Sequence, residues 1–166
     1  SFLKHKRKYI LEQLQRYLNH SKIDVLFKQN KDDFVVTELP LYDFSGEGEH
    51  LVLKIRKKDL ATWDAIEILA KYLNCSSREF GYAGLKDKNA MTVQSISVHR
   101  KYEEQLKSFQ HENLKILETT YHNNKIKVGH LKGNKFFIRL KRVGAIEKRK
   151  IEEALGSIVT HGIPNY

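Results

Sequence analysis

Apolar residues along this chain recur at two spacings, one near 3.6 residues and one of two. Phe2, Tyr9, Ile10, Leu14, Tyr17 and Leu18 fall at helical spacing, which predicts a helix over about 3–19. "DVLF" and then "DFVVTELPL" predict two short strands, the second stopped by Pro40. "YDFSGEGEH" reads as a turn-rich loop, and "HLVLKIRK" then alternates, with Leu51, Leu53 and Ile55 on one face. Thr62 stands where it can cap a helix running to about Asn74, with Trp63, Ile66, Leu69, Ala70 and Leu73 as its apolar stripe. Gln94, Ile96 and Val98 share one face of the next strand. A charged helix over about 102–110 follows, then strands near 114–121, 125–131 and 135–143. "AIEKRKIEEALGSIVTHG" closes as a helix, with Gly162 a natural stop. The order predicts an α+β class: a mixed, mostly antiparallel sheet with helices packed on it.

Composition narrows the function. The 166 residues suffice for one ordinary domain, and 40% apolar content with eight Phe and eight Tyr argues against disorder. A net charge of +10 points to a polyanionic partner, nucleic acid being the commonest, with a generally basic surface as the ordinary alternative. The charge is segregated. From Lys125 to Lys150 ten basic residues face one acid, Glu147, while residues 32–49 carry six acids and no Lys or Arg. No apolar run approaches the roughly 20 residues that span a bilayer, and the basic, periodic start is unlike a signal peptide. The single Cys75 excludes an internal disulfide and fits a reducing cytosol. The eight histidines form no HExxH pair, so no metal site is expected.

Motifs for nucleotide phosphates and for hydrolase triads are missing. "GEGEHL" lacks a third glycine, "GYAGLKDK" lacks a glycine-lysine-serine/threonine ending, and no serine sits in a G-x-S-x-G elbow. What remains is a lone acid, Asp87, between Lys86 and Lys88 at the junction of a turn and an alternating run. An ordinary polar turn would collect the same residues. If the backbone is extended, Asp87 points away from both lysines, which then supply field and phosphate contacts without neutralising it. Gly81 and Gly84 allow close approach of a bulky ligand, and Tyr82 offers either a stacking face or a core ring. In "HLKGNKFFIRLKRV", Gly133-Asn134 signals a hairpin turn. Phe136 and Phe137 point to opposite sides of the strand that follows, so one can be core while the other suits base stacking beside Asn134 and Lys135. Lys28 interrupts an otherwise apolar strand, where an edge lysine guarding against aggregation is the ordinary explanation.

Taken together these stretches resemble the TruD family of pseudouridine synthases. "FKQNKDDFVVTELPLYDFSGEGEHLVLKIRK" is similar to that family's opening, and "GYAGLKDKNAMTVQ" to its catalytic motif. "GHLKGNKFFIRL" is similar to its G-N-x-F strand, and "GIPNY" to the start of its P-N-Y-F-G segment. The resemblance runs from about Val25 to Tyr166, with the four motifs in the family's order. It implies an RNA uridine isomerase forming pseudouridine, with uridine 13 in the D-stem of tRNA as the expected target and neither cofactor nor metal. By the resemblance, Asp87 is the essential aspartate, Lys28 the basic residue that pairs with it and Asn134 the asparagine that helps hold it. Phe136 is the ring that stacks on the target base. Lys86, Gln94 and Tyr82 belong to the same motif as support for the site or the RNA. Lys125, Lys127 and Lys141 are expected to meet the tRNA backbone.

Residues 1–20 form a basic segment outside the resemblance, either an extra RNA contact or a packing helix. Residues 21–166 are expected to be the N-terminal part of the catalytic domain, ending before an inserted second domain. The missing C-terminal half would then act in cis or as a separate chain, and the 166 residues alone would have little or no activity. A non-catalytic basic RNA-binding module is the alternative, with a ribosome-associated protein more distant.

Overall fold

The computed structural model describes residues 21–28 and 30–162 together with Leu18. The helix expected over 3–19 therefore lies outside the described residues. Phe27–Arg139 form one compact unit, and described residues before and after them belong to a second.

Within the first unit, β1 (Phe34–Pro40), β2 (His50–Lys57), β3 (Gly81–Tyr82), β4 (Met91–His99), β5 (Leu114–His122) and β6 (Leu131–Ile138) make one sheet. Its spatial order is β5-β2-β4-β1-β6, and β3 pairs with the far end of β4. Only β1 and β4 run parallel, with Val35, Val36 and Thr37 opposite Met91, Thr92 and Val93; the other ladders are antiparallel. The expected mixed, mostly antiparallel α+β architecture is what forms.

Helix α1 (Thr62–Leu73) covers one face. Its Ala65, Ile66, Leu69, Ala70 and Leu73 pack on Leu51, Leu53 and Ile55 of β2 and on Ile96 and Val98 of β4. Burying each large aliphatic side chain there contributes about 1.5–3 kcal/mol. Trp63, expected in the apolar stripe, is instead 45% exposed and meets Tyr82 edge-on. Thr62 is not the cap. The residue before the helix is Ala61, whose N–H is taken by the Asp64 carboxylate at 2.7 Å. At the other end Asn74 adopts the left-handed conformation that closes many helices.

Four further expectations are corrected. "DVLF" shrinks to Leu26–Phe27, and Lys28 follows it at φ 55°. The charged segment after β4 is a 3-10 turn leading into one short helix, α2 (Glu103–Leu106). Residues 125–130 are not a strand. The Ile126 N–H is donated to the Ser97 hydroxyl at 2.9 Å rather than to a ladder, and Gly129 and His130 close a turn. Gly133-Asn134 lies inside β6, paired with Leu39 and Glu38, because the long register with β1 outweighs the local turn preference. In the second unit, α3 (Ala145–His161) ends at Gly162 with φ 76°, as its sequence signals.

Glycine matters most in the S-G-E-G-E-H turn. Gly48 has φ 120°, and a Cβ there would stand 2.5 Å from the His122 carbonyl oxygen. Gly46, at φ 79°, has open space around it. Gly46→Ala is expected to cost about 1 kcal/mol in urea unfolding, and Gly48→Ala roughly 3 kcal/mol or more, since backbone must also move. Equal losses at the two positions would contradict the close approach at Gly48.

Candidate active site

The loop from Ala83 to Ala90, between β3 and β4, carries Asp87. It is fixed from below by buried polar side chains on four elements, α1, β1, β2 and β4. From α1, the Thr62 hydroxyl accepts the Lys86 N–H at 2.8 Å and itself donates to the Gln94 carbonyl at 2.9 Å. The Gln94 amide donates to the Gly84 carbonyl at 3.2 Å. Lys86 turns its ammonium inward to Glu38 of β1 at 2.8 Å, and their side chains are 7% and 1% exposed. Glu38 also accepts the Ser95 N–H.

Lys57, at the end of β2, is fully buried. Its ammonium donates to the carbonyls of Leu60 at 2.6 Å, Lys86 at 3.3 Å and Asp87 at 3.5 Å. Burial first, and the neighbouring Lys86 ammonium second, lower its pKa to about 8. Asp64 and Asp87 oppose that shift.

Asp87 itself is exposed. Its carboxyl is held below the ordinary aspartate range, first by the backbone amides of Asn89 and Lys88. The Asn89 side chain and the field of Lys28 act in the same direction, while slight burial opposes them. The Asn89 N–H lies 3.4 Å from the carboxylate and its side-chain amide 3.5 Å. Asp87 therefore closes its own turn two residues on and stays ionised at neutral pH.

Strand register fixes which side chains share this face. Ile55 opposes Gln94 and Lys57 opposes Thr92, so these stand on the α1 side of the sheet. Thr92 aligns with Val36, and Val36 with Phe136, while Glu38 aligns with Asn134. Phe34, Val36, Glu38, Asn134 and Phe136 therefore share the face from which the Asp87 loop is anchored. The Phe136 ring is 57% exposed and lies 6.1 Å from Phe34. The Lys28 ammonium sits 4.1 Å from the Phe34 centroid and 5.3 Å from that of Phe27. An open groove of about 720 Å³ runs beside this row, lined by Lys28, Asn30, Phe34 and Asn89 among others. A larger one of about 860 Å³ follows β5 and α2, away from every candidate group.

Several predicted placements change. Lys28 forms no ion pair with Asp87; its ammonium caps two phenylalanine rings and reaches the acid only through its field. Asn134 is exposed on β6, and the amide that hydrogen-bonds Asp87 belongs to Asn89. Lys86 is buried in its ion pair and does not face a solvent-borne phosphate. Gln94 is buried and holds the loop rather than RNA. Tyr82 packs into the core beside α1. Neither Phe136 nor Phe137 is buried, since β6 is the outer strand of the sheet.

The basic stretch 125–150 is divided between the two units. Lys125 donates to the Arg78 carbonyl at 2.6 Å, whereas Lys127 is exposed and Lys141 half-buried. Among the described residues no cluster of His, Cys, Asp or Glu is placed to hold a metal, and no helix is long and apolar enough to cross a membrane.

Sequence reasoning missed Glu38, Lys57, Thr62 and Asn89 as parts of this site. Lys57 carried a usable signal: it continues the inward row Leu51, Leu53, Ile55. Asn89, two residues after Asp87, fits the spacing of an Asp-led turn.

Comparison with known proteins places the chain in a family. The family model described as tRNA pseudouridine synthase D (TruD) matches residues 12–166. The tRNA pseudouridine synthase D of Sulfurimonas denitrificans is 58% identical over 149 residues, covering 90% of this chain and 42% of that protein. Its counterpart from Wolinella succinogenes is 55% identical over 150 residues, with the same two coverages of 90% and 42%. A crystal structure described as a TruD protein from Methanosarcina mazei superposes with a TM-score of 0.77 at 25% identity, over 88% of this chain and 34% of that one. The chain thus spans about 42% of the length of these curated relatives.

The buried pair beneath the loop is open to direct test. Glu38→Gln strands the Lys86 ammonium and is expected to cost roughly 3 kcal/mol in urea unfolding. Adding Lys86→Met is expected to recover most of that loss, because the amide oxygen introduced at position 38 still accepts the Ser95 N–H. A single-variant loss under about 0.5 kcal/mol would mean that water reaches the pair.

Proposed function

Because this chain belongs to the TruD family, we propose that it supplies the catalytic aspartate of a tRNA pseudouridine synthase, with residues 21–166 as the N-terminal part of the catalytic domain. The observation that carries this reading is Asp87: an exposed carboxylate, held ionised by its own turn, on a loop whose backbone is anchored by buried groups. The target base must leave the helical stack to be reached, at a cost of a few kcal/mol. The exposed ring of Phe136 offers a surface on which that base stacks, offsetting about 1–3 kcal/mol.

The carboxylate of Asp87 then assists cleavage of the bond between the sugar and N1 of uracil. The freed base turns in the pocket, its C5 bonds to the sugar, and C5 gives up a proton as N1 takes one up. No atom is gained or lost, so the reaction needs no redox cofactor. Whether Asp87 attacks the sugar or removes a sugar proton, it acts as the anion. Depression of its pKa therefore keeps the active form present above the ordinary aspartate range and places the acid limb of activity below it. Uridine 13 of the tRNA D-stem is the proposed target, in the cytoplasm where tRNA is modified. Lys28, beside Phe34 and within the field of Asp87, adds positive charge along the path of the phosphates.

Two measurements check this in a chimera of residues 1–162 with the remaining C-terminal length of the Sulfurimonas denitrificans relative. Asp87→Asn is expected to lower the single-turnover rate of pseudouridine formation by about 1,000-fold or more. Its affinity for unmodified tRNA should stay within about threefold. Near-normal turnover would refute the assignment and leave an RNA-binding module. Lys127→Ala should weaken tRNA binding alike across sequences and reduce the salt slope by about one. An unchanged slope would place the RNA elsewhere.

A further inference from the structure

We propose that Lys57 is a positioning residue of the isomerisation: its buried ammonium grips the backbone of the Asp87 loop and so sets where the carboxylate stands. This rests on the reading of Asp87 as the catalytic acid.

An ammonium has three N–H donors and no acceptor. Here all three have carbonyl partners, on Leu60, Lys86 and Asp87. Those carbonyls lie on two separate segments, the lead into α1 and the catalytic loop, and the lysine itself ends β2. One side chain thus ties the end of a central strand to both. Asp87 is held at its own carbonyl, on the residue whose carboxylate reacts.

Burying an ammonium is costly unless its donors are satisfied, and an apolar side chain of the same length would fill this inward position on β2 without that cost. The row it continues, Leu51, Leu53 and Ile55, is apolar throughout. What lysine adds is direction: three hydrogen bonds that fix a loop which has few apolar contacts of its own, since Leu85, Asp87, Lys88 and Asn89 are all exposed. A catalytic group displaced by about 1 Å loses on the order of 100-fold in rate, so such a tether acts on the chemical step rather than on tRNA affinity.

The charged groups facing Lys57 are Lys86 and Asp87 from the loop and Asp64 from α1. Lys86 disfavours the ammonium, and the two carboxylates favour it. With a folded pKa of about 8, lowered by burial, the grip is complete below that value and is lost as pH rises through it. The neutral amine has only two N–H groups and turns a lone pair toward the third carbonyl.

The test uses single-turnover pseudouridine formation and tRNA binding by the same chimera, from pH 6 to 10, as wild type, Lys57→Met, Lys57→Arg and Asp87→Asn. The wild-type rate should fall reversibly with a midpoint near 8, while tRNA affinity changes less than about threefold. Lys57→Met should be slower by roughly 10–100-fold at pH 7, with near-normal affinity and without that midpoint. Lys57→Arg cannot lose its proton in this range, so its alkaline midpoint should disappear. Full activity of Lys57→Met, or a wild-type midpoint retained in either variant, would overturn the role of Lys57. If Lys57→Met does not fold, the wild type and Lys57→Arg decide by the midpoint alone. Asp87→Asn separates the two ideas: its inactivity beside a fully active Lys57→Met removes only the positioning role, whereas its activity removes the catalytic reading and this inference with it.

Discussion

The Lys86 ammonium and the Glu38 carboxylate meet at 2.8 Å where water scarcely reaches, joining the loop after β3 to the middle of β1. With Lys86 turned inward, Asp87 beside it is exposed. The acid is thus accessible while the backbone at Lys86 and Asp87 is anchored. The Thr62 hydroxyl, the Gln94 amide and the Lys57 ammonium complete the anchoring from α1, β4 and β2. Each takes its place only once the sheet has formed and α1 has docked on it. The site is therefore a consequence of the whole unit and not of the loop's own sequence.

Chemically, the arrangement separates two demands that conflict at one residue. A carboxylate that reacts must be accessible and ionised, and a residue that is accessible is ordinarily mobile. Here rigidity comes from buried polar groups beneath the loop, while ionisation comes from the amides of Asn89 and Lys88 beside the acid. Neither device requires burial of Asp87. The neighbouring surface combines an exposed ring on β6 with a lysine held over the ring of Phe34, suiting a flat base attached to a charged backbone.

How far all this was legible follows from which interactions are local. Alternation in β1, β2 and β4 and the apolar stripe of α1 are properties of contiguous residues, and they predict those elements with nearly the observed bounds. Asp87 stands out in sequence as an isolated acid among bases. Its supports do not, because Glu38 and Lys86 are 48 residues apart, and Thr62 and Gln94 are 32 apart. Sequence gives each a local meaning that the fold overrides: Thr62 reads as a cap, Lys86 as a phosphate contact, and Gly133-Asn134 as a turn. The last yields to the register with β1, which places Asn134 opposite Glu38. Lys57 was within reach of reasoning, since the period of two that identifies Leu51, Leu53 and Ile55 as core includes it next. A charged residue in that series marks a buried polar partner.

Native-state hydrogen exchange at the Lys86 amide tests the anchored loop most directly, because that N–H is donated to the buried Thr62 hydroxyl within a loop whose neighbouring side chains are exposed. Exchange as slow as that of the β4 core amides is the expected result, since the bond opens only when α1 leaves the sheet. Exchange at the rate of an open surface turn would contradict it, and Asp87 would then be a mobile acid with no fixed place in the chemistry.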